Sequence, residues 1–300
     1  MKDHRLELHG IFPPLATPFT LRERVDLHGI EFNIRKYNPL GLAGYVVCGS
    51  TGESVLLRAK ETLAVLDAAR GAAAEDKILI AGTGCEATRE TIELTGRAAA
   101  LGYHAALVRT PAYFKPMMTP SALEQHYRAV ADSSPIPILI YSVPQFTGLA
   151  VEAPLVARLA EHPNIIGLKE SSGDLGRLGE ILKAVPSQFT VLCGSAAALL
   201  PSLVLGARGG ILAAACVVPE LCLEVFETFS SGDQERARAA QQRLDEPAVA
   251  VTRRFGIAGL KYAMELRGYI GGVPRPPLEP LTEDARVELR RILEAFPASD

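Results

Sequence analysis

The segment Ile165-Ile166-Gly167-Leu168-Lys169-Glu170-Ser171 combines the apolar character of a buried β-strand with one amine, that of Lys169. Short apolar segments of this kind recur along the chain, and segments with helical periodicity separate them. That alternation is typical of parallel strands that are buried on both faces. Eight strands are predicted, at Gly10–Thr17, Ala43–Gly49, Lys77–Gly82, Ala105–Thr110, Ile136–Tyr141, Ile165–Lys169, Thr190–Gly194 and Gly209–Ala214.

Eight strand–helix units fit a closed (β/α)8 barrel, the TIM barrel of the α/β class, better than an open sheet. We therefore expect residues 1–230 to form the barrel. The remaining sequence has no strand pattern, so residues 231–300 are predicted to form a C-terminal helical region. Its predicted helices are Gln234–Leu244, Gly259–Arg267 and Glu283–Ala295.

Composition excludes several classes of function. The formal net charge of −3 over 300 residues, with both signs mixed, provides no basic stripe for nucleic acid. No apolar run is long enough to span a membrane, and the N-terminal residues do not resemble a signal peptide. The five cysteines are scattered without a CxxC pair, which favours free thiols and a cytoplasmic location. We expect no metal site and no cofactor.

Lys169 is the first candidate catalytic residue. Burial disfavours the charged form of an amine, and an uncharged lysine can attack a carbonyl group to form a Schiff base. The alternative is that Lys169 lies at a strand end and extends its amine into solvent. The preceding predicted strand ends in Tyr141, whose phenol can donate and accept a proton beside such an amine.

Polar residues follow several of the predicted strands where each strand ends. Because the active site of such a barrel lies at the C-terminal ends of its strands, these residues are expected to converge on one rim. They carry hydroxyl groups, one amine and glycines, which suits a small, oxygen-rich substrate. The segments are Gly49–Glu53, Thr110–Phe114, Tyr141–Pro144, Lys169–Ser172 and Cys193–Ser195.

Three of these motifs, in this order, resemble the dihydrodipicolinate synthase/N-acetylneuraminate lyase family of pyruvate-dependent class I aldolases. They are GSTGE at Gly49–Glu53, YSVP at Tyr141–Pro144 and GLKESSGD at Gly167–Asp174. The resemblance covers almost the whole chain. It implies an enzyme that needs no metal and uses pyruvate together with an aldehyde or a larger 2-oxo acid.

The resemblance also implies roles for individual residues. Lys169 would form the Schiff base, and Tyr141 would move protons through a hydroxyl chain with Ser50 and Tyr113. Tyr113 would reach the site of a neighbouring subunit in a homodimer or homotetramer. The substrate would be bound by Thr51, Gly49, Ser171, Gly194 and Ile211.

The identity of the second substrate depends on one departure from the family pattern. Members that condense pyruvate with aspartate semialdehyde carry an arginine where this chain has Phe146, and a phenyl ring cannot pair with a carboxylate. The runs GCEAT at Gly84–Thr88 and AVTRRFGIAGLK at Ala250–Lys261 resemble the 4-hydroxy-2-oxoglutarate aldolase branch. Cleavage of that substrate to pyruvate and glyoxylate is therefore the first expectation. The alternative is dihydrodipicolinate synthase or another 2-keto-acid aldolase or dehydratase of the family.

Other interpretations of the sequence are possible. Gly82–Ala87 matches the dinucleotide-binding pattern GxGxxA, but no acidic residue ends the next predicted strand. A non-catalytic barrel that binds 2-oxo acids would have no need for the lysine. Arg109 or Lys115 would pair with a second substrate carboxylate in one interpretation and be structural charges in the other. The run at Ala250–Lys261 is expected to lie outside the chemistry.

Overall fold

The computed structural model describes residues 6–296 and contains eight parallel β-strands. All eight predicted strands are present, so the predicted fold class is confirmed. The strands are β1 (Gly10–Phe12), β2 (Gly44–Val47), β3 (Ile78–Gly82), β4 (Ala105–Arg109), β5 (Ile138–Ser142), β6 (Ile165–Glu170), β7 (Thr190–Cys193) and β8 (Gly209–Ile211).

The strands form one ring. Neighbouring strands pair in parallel in the order β1-β8-β7-β6-β5-β4-β3-β2. The ring closes between β1 and β2, where the Ala43 N–H donates to the Ile11 carbonyl and the Val46 N–H to the Pro13 carbonyl, at 3.0 and 3.1 Å. This is a TIM barrel, in which the C-terminal ends of all strands open on the same face.

Helices alternate with the strands and cover the outside of the barrel. Several are preceded by a side chain that accepts the backbone N–H three residues further on, for example those of Asp26, Thr119 and Asp174. The helices are α1 (Leu27–Tyr37), α2 (Ala59–Ala72), α3 (Thr88–Ala100), α4 (Pro120–Ser133), α5 (Pro144–Thr147), α6 (Ala153–Ala160), α7 (Leu175–Ala184), α8 (Leu199–Leu205), α9 (Pro219–Ser230), α10 (Gln234–Val249), α11 (Gly256–Leu266) and α12 (Glu283–Glu294).

A β-bulge in β6 determines where Lys169 points. Ile165 and Leu168 both pack between the strands and the helices, although they are three residues apart, whereas Ile166 packs inside the barrel. The register of β6 against β5 slips by one residue at this place, and beyond it Lys169 lies opposite Tyr141. The inserted residue therefore turns Lys169 to the barrel interior, a use of bulges that is common beside active sites.

The C-terminal helices pack against the barrel. Lys261 of α11 forms a fully buried ion pair with Glu53, the last residue of the GSTGE motif after β2. The Lys261 amine also donates to the Val273 carbonyl at 2.8 Å, and the Arg275 N–H donates to Glu53 at 2.8 Å. Glu53 itself has a left-handed backbone with a φ of 54°. The ion pair therefore fixes the turn after β2 from outside the barrel.

Burial of the Lys261 amine lowers its pKa, although the nearby Glu53 carboxylate opposes this shift. Within residues 6–296, no helix has both the length and the apolar character that crossing a membrane would require.

We predict that the Glu53–Lys261 pair is needed for stability. Lys261→Met leaves the Glu53 carboxylate buried without its partner, which should lower the free energy of unfolding by about 3–5 kcal/mol. The double variant Glu53→Gln/Lys261→Met removes both charges and should recover part of the loss. Urea unfolding measures both values. Lys183→Met, at an exposed lysine of α7, is the control, and a loss no larger than that of the control would contradict the prediction.

Candidate active site

A cavity of about 790 Å³ opens at the C-terminal ends of the strands. Seven of the nine residues predicted from the sequence line it, and they come from five different strand ends or the loops after them. The two exceptions are Gly49, which forms the turn behind Ser50, and Tyr113, which lies elsewhere. The seven are Ser50, Thr51, Tyr141, Lys169, Ser171, Gly194 and Ile211.

Lys169 differs from the other buried lysines of residues 6–296 in having no acceptor. Lys77 donates to the carbonyls of Leu40 and Leu42, at 3.1 Å each, and Lys261 donates to Val273 and pairs with Glu53. The Lys169 amine has no carboxylate within 4.0 Å and no hydrogen-bond acceptor among the described residues. Its side chain is only 4% exposed and reaches the cavity. An amine in this setting is available to a ligand.

Tyr141 lies beside Lys169 on the neighbouring strand. The amine of Lys169 is 4.2 Å from the centroid of the Tyr141 ring. The Tyr141 hydroxyl donates to Ser50 Oγ at 3.3 Å. The tyrosine–serine contact expected from the sequence is therefore present, and it leads from the amine to the turn after β2.

The turn after β2 presents free backbone donors. The N–H groups of Gly52 and Glu53 bond back to the carbonyls of Gly49 and Ser50, at 3.1 and 3.0 Å. The N–H groups of Ser50 and Thr51 donate to no acceptor within the described part of the chain. Buried N–H groups are almost always satisfied, so this turn has the donors that a bound carboxylate needs.

The opposite side of the cavity contains an unpaired hydroxyl. Ser171 Oγ is buried without a hydrogen-bond partner among residues 6–296. A Cβ added to Gly194 would lie 1.8 Å from this oxygen, so only glycine fits there. Ile211, at the end of β8, contributes a fully buried apolar wall.

Tyr113 lies outside this cavity. Its side chain is 80% exposed, and it lines a second cavity of about 670 Å³. The neighbouring side chains of Val55, Phe114, Met117 and Phe146 are also largely exposed. Within one chain Tyr113 therefore does not complete the hydroxyl chain from Tyr141 and Ser50.

Arg109 and Lys115 also line the second cavity and not the one that contains Lys169. Arg109 pairs with Glu86 at 2.7 Å, and Glu86 accepts the N–H groups of Ala112 and Tyr113 at 2.8 and 2.9 Å. Partial burial raises the pKa of Glu86, but these donors and Arg109 outweigh it and hold the pKa below its ordinary value. Arg109 is thus a structural charge that fixes the Tyr113 loop, as in the second of the two interpretations.

The run at Ala250–Lys261, which was expected to lie outside the chemistry, contributes residues to the cavity. Thr252, Arg253 and Phe255, from the segment between α10 and α11, line the cavity of Lys169. The sequence contained no signal for this contact, which depends on how the C-terminal helices dock. Phe146, where the family pattern suggested an arginine, borders both cavities and is 68% exposed.

The dinucleotide-binding interpretation does not fit the barrel. Gly82–Ala87 follows β3, the third strand of the closed ring. A Cβ on Gly84 would lie 2.5 Å from the Arg109 nitrogen, so this glycine serves the packing of β3 against β4. Within the described residues, no group of three His, Cys, Asp or Glu side chains is placed to hold a metal ion.

Comparisons with known proteins agree with this architecture. The sequence profile of the dihydrodipicolinate synthetase family matches residues 7–296. A 4-hydroxy-tetrahydrodipicolinate synthase of an Exiguobacterium species is 36% identical over 287 residues, which cover 96% of this chain and 97% of that protein. The synthase of the same name from Archaeoglobus fulgidus is 37% identical over 288 residues, which cover 96% of this chain and 98% of its own length.

A solved structure shares the fold. It is that of an E. coli K12 prophage protein of the dihydrodipicolinic acid synthase family in complex with pyruvate. It superimposes with a TM-score of 0.90 at 30% sequence identity and covers 96% of this chain and 98% of its own. The chain therefore belongs to the dihydrodipicolinate synthetase family, and it is an enzyme of the class I aldolase type, a carbon–carbon lyase or synthase.

We predict that Glu86 holds the Tyr113 loop in place. Glu86→Gln removes the charge that binds Arg109 and two backbone N–H groups, so amide hydrogen exchange at Ala112 and Tyr113 should accelerate about tenfold or more. Exchange is followed by mass spectrometry of the peptide that contains both residues. Glu93→Gln removes an exposed carboxylate of α3 and is the control. Unchanged exchange in Glu86→Gln would show that the loop does not depend on this carboxylate.

Proposed function

We propose that Lys169 forms a Schiff base with pyruvate. We propose further that the enzyme joins pyruvate to an aldehyde that carries a carboxylate or, in the reverse direction, cleaves the condensation product to release pyruvate. The observation that carries the proposal is the buried Lys169 amine, which has no acceptor among the described residues and faces the cavity at the strand ends. The pyruvate complex of the E. coli K12 relative supports the choice of the 2-oxo acid.

The chemistry follows from the neighbours of Lys169. The amine attacks the ketone carbon of pyruvate, and loss of water gives an iminium. The iminium withdraws electrons, so the methyl carbon loses a proton and becomes an enamine. The enamine carbon attacks the aldehyde carbon, and a proton moves to the aldehyde oxygen. Water then hydrolyses the iminium and frees Lys169, and the same steps in reverse cleave the product.

The other residues of the cavity are assigned to two tasks. Tyr141, bonded to Ser50, would give and take the protons of these steps. The free N–H groups of Ser50 and Thr51 would hold the pyruvyl carboxylate. Because that carboxylate is delocalised and planar, two adjacent donors fix both its position and the orientation of the ketone next to it.

Aspartate semialdehyde is the first candidate for the aldehyde. The relatives described above are 4-hydroxy-tetrahydrodipicolinate synthases, and their names support the dihydrodipicolinate synthase reaction better than cleavage of 4-hydroxy-2-oxoglutarate. Cleavage of 4-hydroxy-2-oxoglutarate stays as a second candidate because of one observation: Phe146 offers no charge at the position where the arginine was expected.

Tyr113 is proposed to act across a subunit interface. The Tyr113 side chain and the apolar side chains around it are largely exposed, and they would be buried if two copies of the chain met at the second cavity. A homodimer, alone or within a homotetramer, would bring the Tyr113 hydroxyl to the partner's Tyr141–Ser50 pair. The cytoplasmic location stays a prediction.

We predict that the purified enzyme consumes pyruvate with aspartate semialdehyde faster than it releases pyruvate from 4-hydroxy-2-oxoglutarate. Lactate dehydrogenase and NADH report pyruvate in both assays, and Lys169→Ala should abolish both reactions because no other lysine within residues 6–296 lines the cavity. The reverse order of rates would support the second candidate. Activity that survives in folded Lys169→Ala would contradict the mechanism.

We predict that two inactive variants restore activity when their subunits exchange. A mixed dimer of Lys169→Ala and Tyr113→Phe chains contains one site with both Lys169 and Tyr113, if Tyr113 crosses the interface. Activity of the mixture should therefore rise well above that of either variant alone. Native mass spectrometry confirms that mixed dimers form. Mixed dimers without recovery would place Tyr113 in the site of its own chain or outside the chemistry.

A further inference from the structure

We infer that Arg253 binds a second carboxylate, the one at the far end of the substrate from the Schiff base. This inference rests on the proposed function and deepens it, because it gives the substrate class as 2-oxo acids with a distal carboxylate, or aldehydes that bear one. The residue lies in the C-terminal region, in the segment between α10 and α11.

The Arg253 side chain reaches from this segment to the rim of the barrel. The guanidinium lies directly beside Gly173 and close to Ser195. A Cβ built on Gly173 would be 3.2 Å from a terminal nitrogen of Arg253 and 3.8 Å from Ser195 Oγ. Gly173 follows β6, and Ser195 follows β7. The guanidinium therefore stands over the loops that leave these two strands, at the mouth of the cavity that contains Lys169.

Arg253 has no counter-charge in the described part of the chain. No carboxylate lies within 4.0 Å of it, whereas the adjacent Arg254 turns the other way and pairs with Glu288 of α12. Among the described residues that line the cavity, Arg253 is the one arginine and Glu279 the one acidic residue, and the two do not form an ion pair. A guanidinium whose donors are free is suited to a carboxylate.

The position of Arg253 separates it from the pyruvyl subsite. The free N–H groups of Ser50 and Thr51 follow β2, and β2 and β6 are four strands apart on a ring of eight. The unpartnered Ser171 Oγ lies on the same side as Arg253, after β6. A substrate with a carboxylate at each end can therefore bind the β2 turn at one end and Arg253 at the other, with its ketone at Lys169 between them.

The backbone around Arg253 departs from regular helix. Residues Ala250–Arg254 form a π-helical turn, in which the Phe255 N–H donates to the Ala250 carbonyl at 3.1 Å. Such turns are rare and are frequently found at functional sites. Here the turn brings Thr252 and Arg253 to the cavity.

The test compares ligands that differ only in the distal carboxylate. 2-Oxoglutarate and 2-oxopentanoate have the same chain length, and both can form a Schiff base that borohydride reduces at the lysine. 2-Oxoadipate and 2-oxohexanoate repeat the comparison with one more carbon. The result then does not depend on whether the shorter ligand is long enough to bring its distal carboxylate to Arg253. The apparent dissociation constant is obtained from the concentration dependence of trapping, measured by intact-protein mass spectrometry.

We expect the wild-type enzyme to prefer a dicarboxylate over its matched monocarboxylate by about tenfold or more. Arg253→Gln should abolish the preference, with trapping of pyruvate, which has no distal carboxylate, measured in each variant to show that the Schiff base still forms, and Arg253→Lys should keep part of the preference. Arg254→Gln, the matched control, should keep all of it. A preference that survives in Arg253→Gln, or no preference in the wild type at either length, overturns the inference. Failure to trap pyruvate in the wild type would instead show that the proposed function is wrong.

Discussion

The buried amine of Lys169 is the constraint around which the site is arranged. A lysine inside a protein normally has an acceptor, as Lys77 and Lys261 do, because an amine withdrawn from water without one is costly. Lys169 has an aromatic ring beside it and a cavity in front of it. The barrel tolerates this arrangement because seven other strands and their helices supply the stability. An amine held in this way is ready to react with a carbonyl group instead of pairing with a carboxylate.

The C-terminal region supports the site in two ways. Lys261 holds Glu53 and with it the turn whose residues Ser50 and Thr51 line the cavity. The π-helical turn between α10 and α11 places Arg253 at the cavity mouth. Residues that are distant in the sequence from every strand motif therefore determine the shape and charge of the site, and the barrel alone would leave the cavity open.

The strands and most of the site were predictable from the sequence because both depend on local patterns. Continuous apolar segments marked all eight strands, although β1 ends at Phe12 and not at Thr17, since Pro13 and Pro14 have no N–H for a longer ladder. The bulge in β6 was not predictable. Ile165, Ile166 and Leu168 are all apolar in a strand that is buried on both faces, so the sequence cannot show which of them point inward. The role of Arg253 was hidden for a different reason, because only the docking of two helices brings it to the rim.

We propose that Lys169, and neither of the other buried lysines, forms the Schiff base. Treating the enzyme with pyruvate and borohydride, digesting it, and locating the reduced pyruvyl adduct by mass spectrometry tests this proposal. We expect a single modified residue, Lys169, with Lys77 and Lys261 unmodified. An adduct on either of those lysines, or no adduct on a folded enzyme, would contradict it.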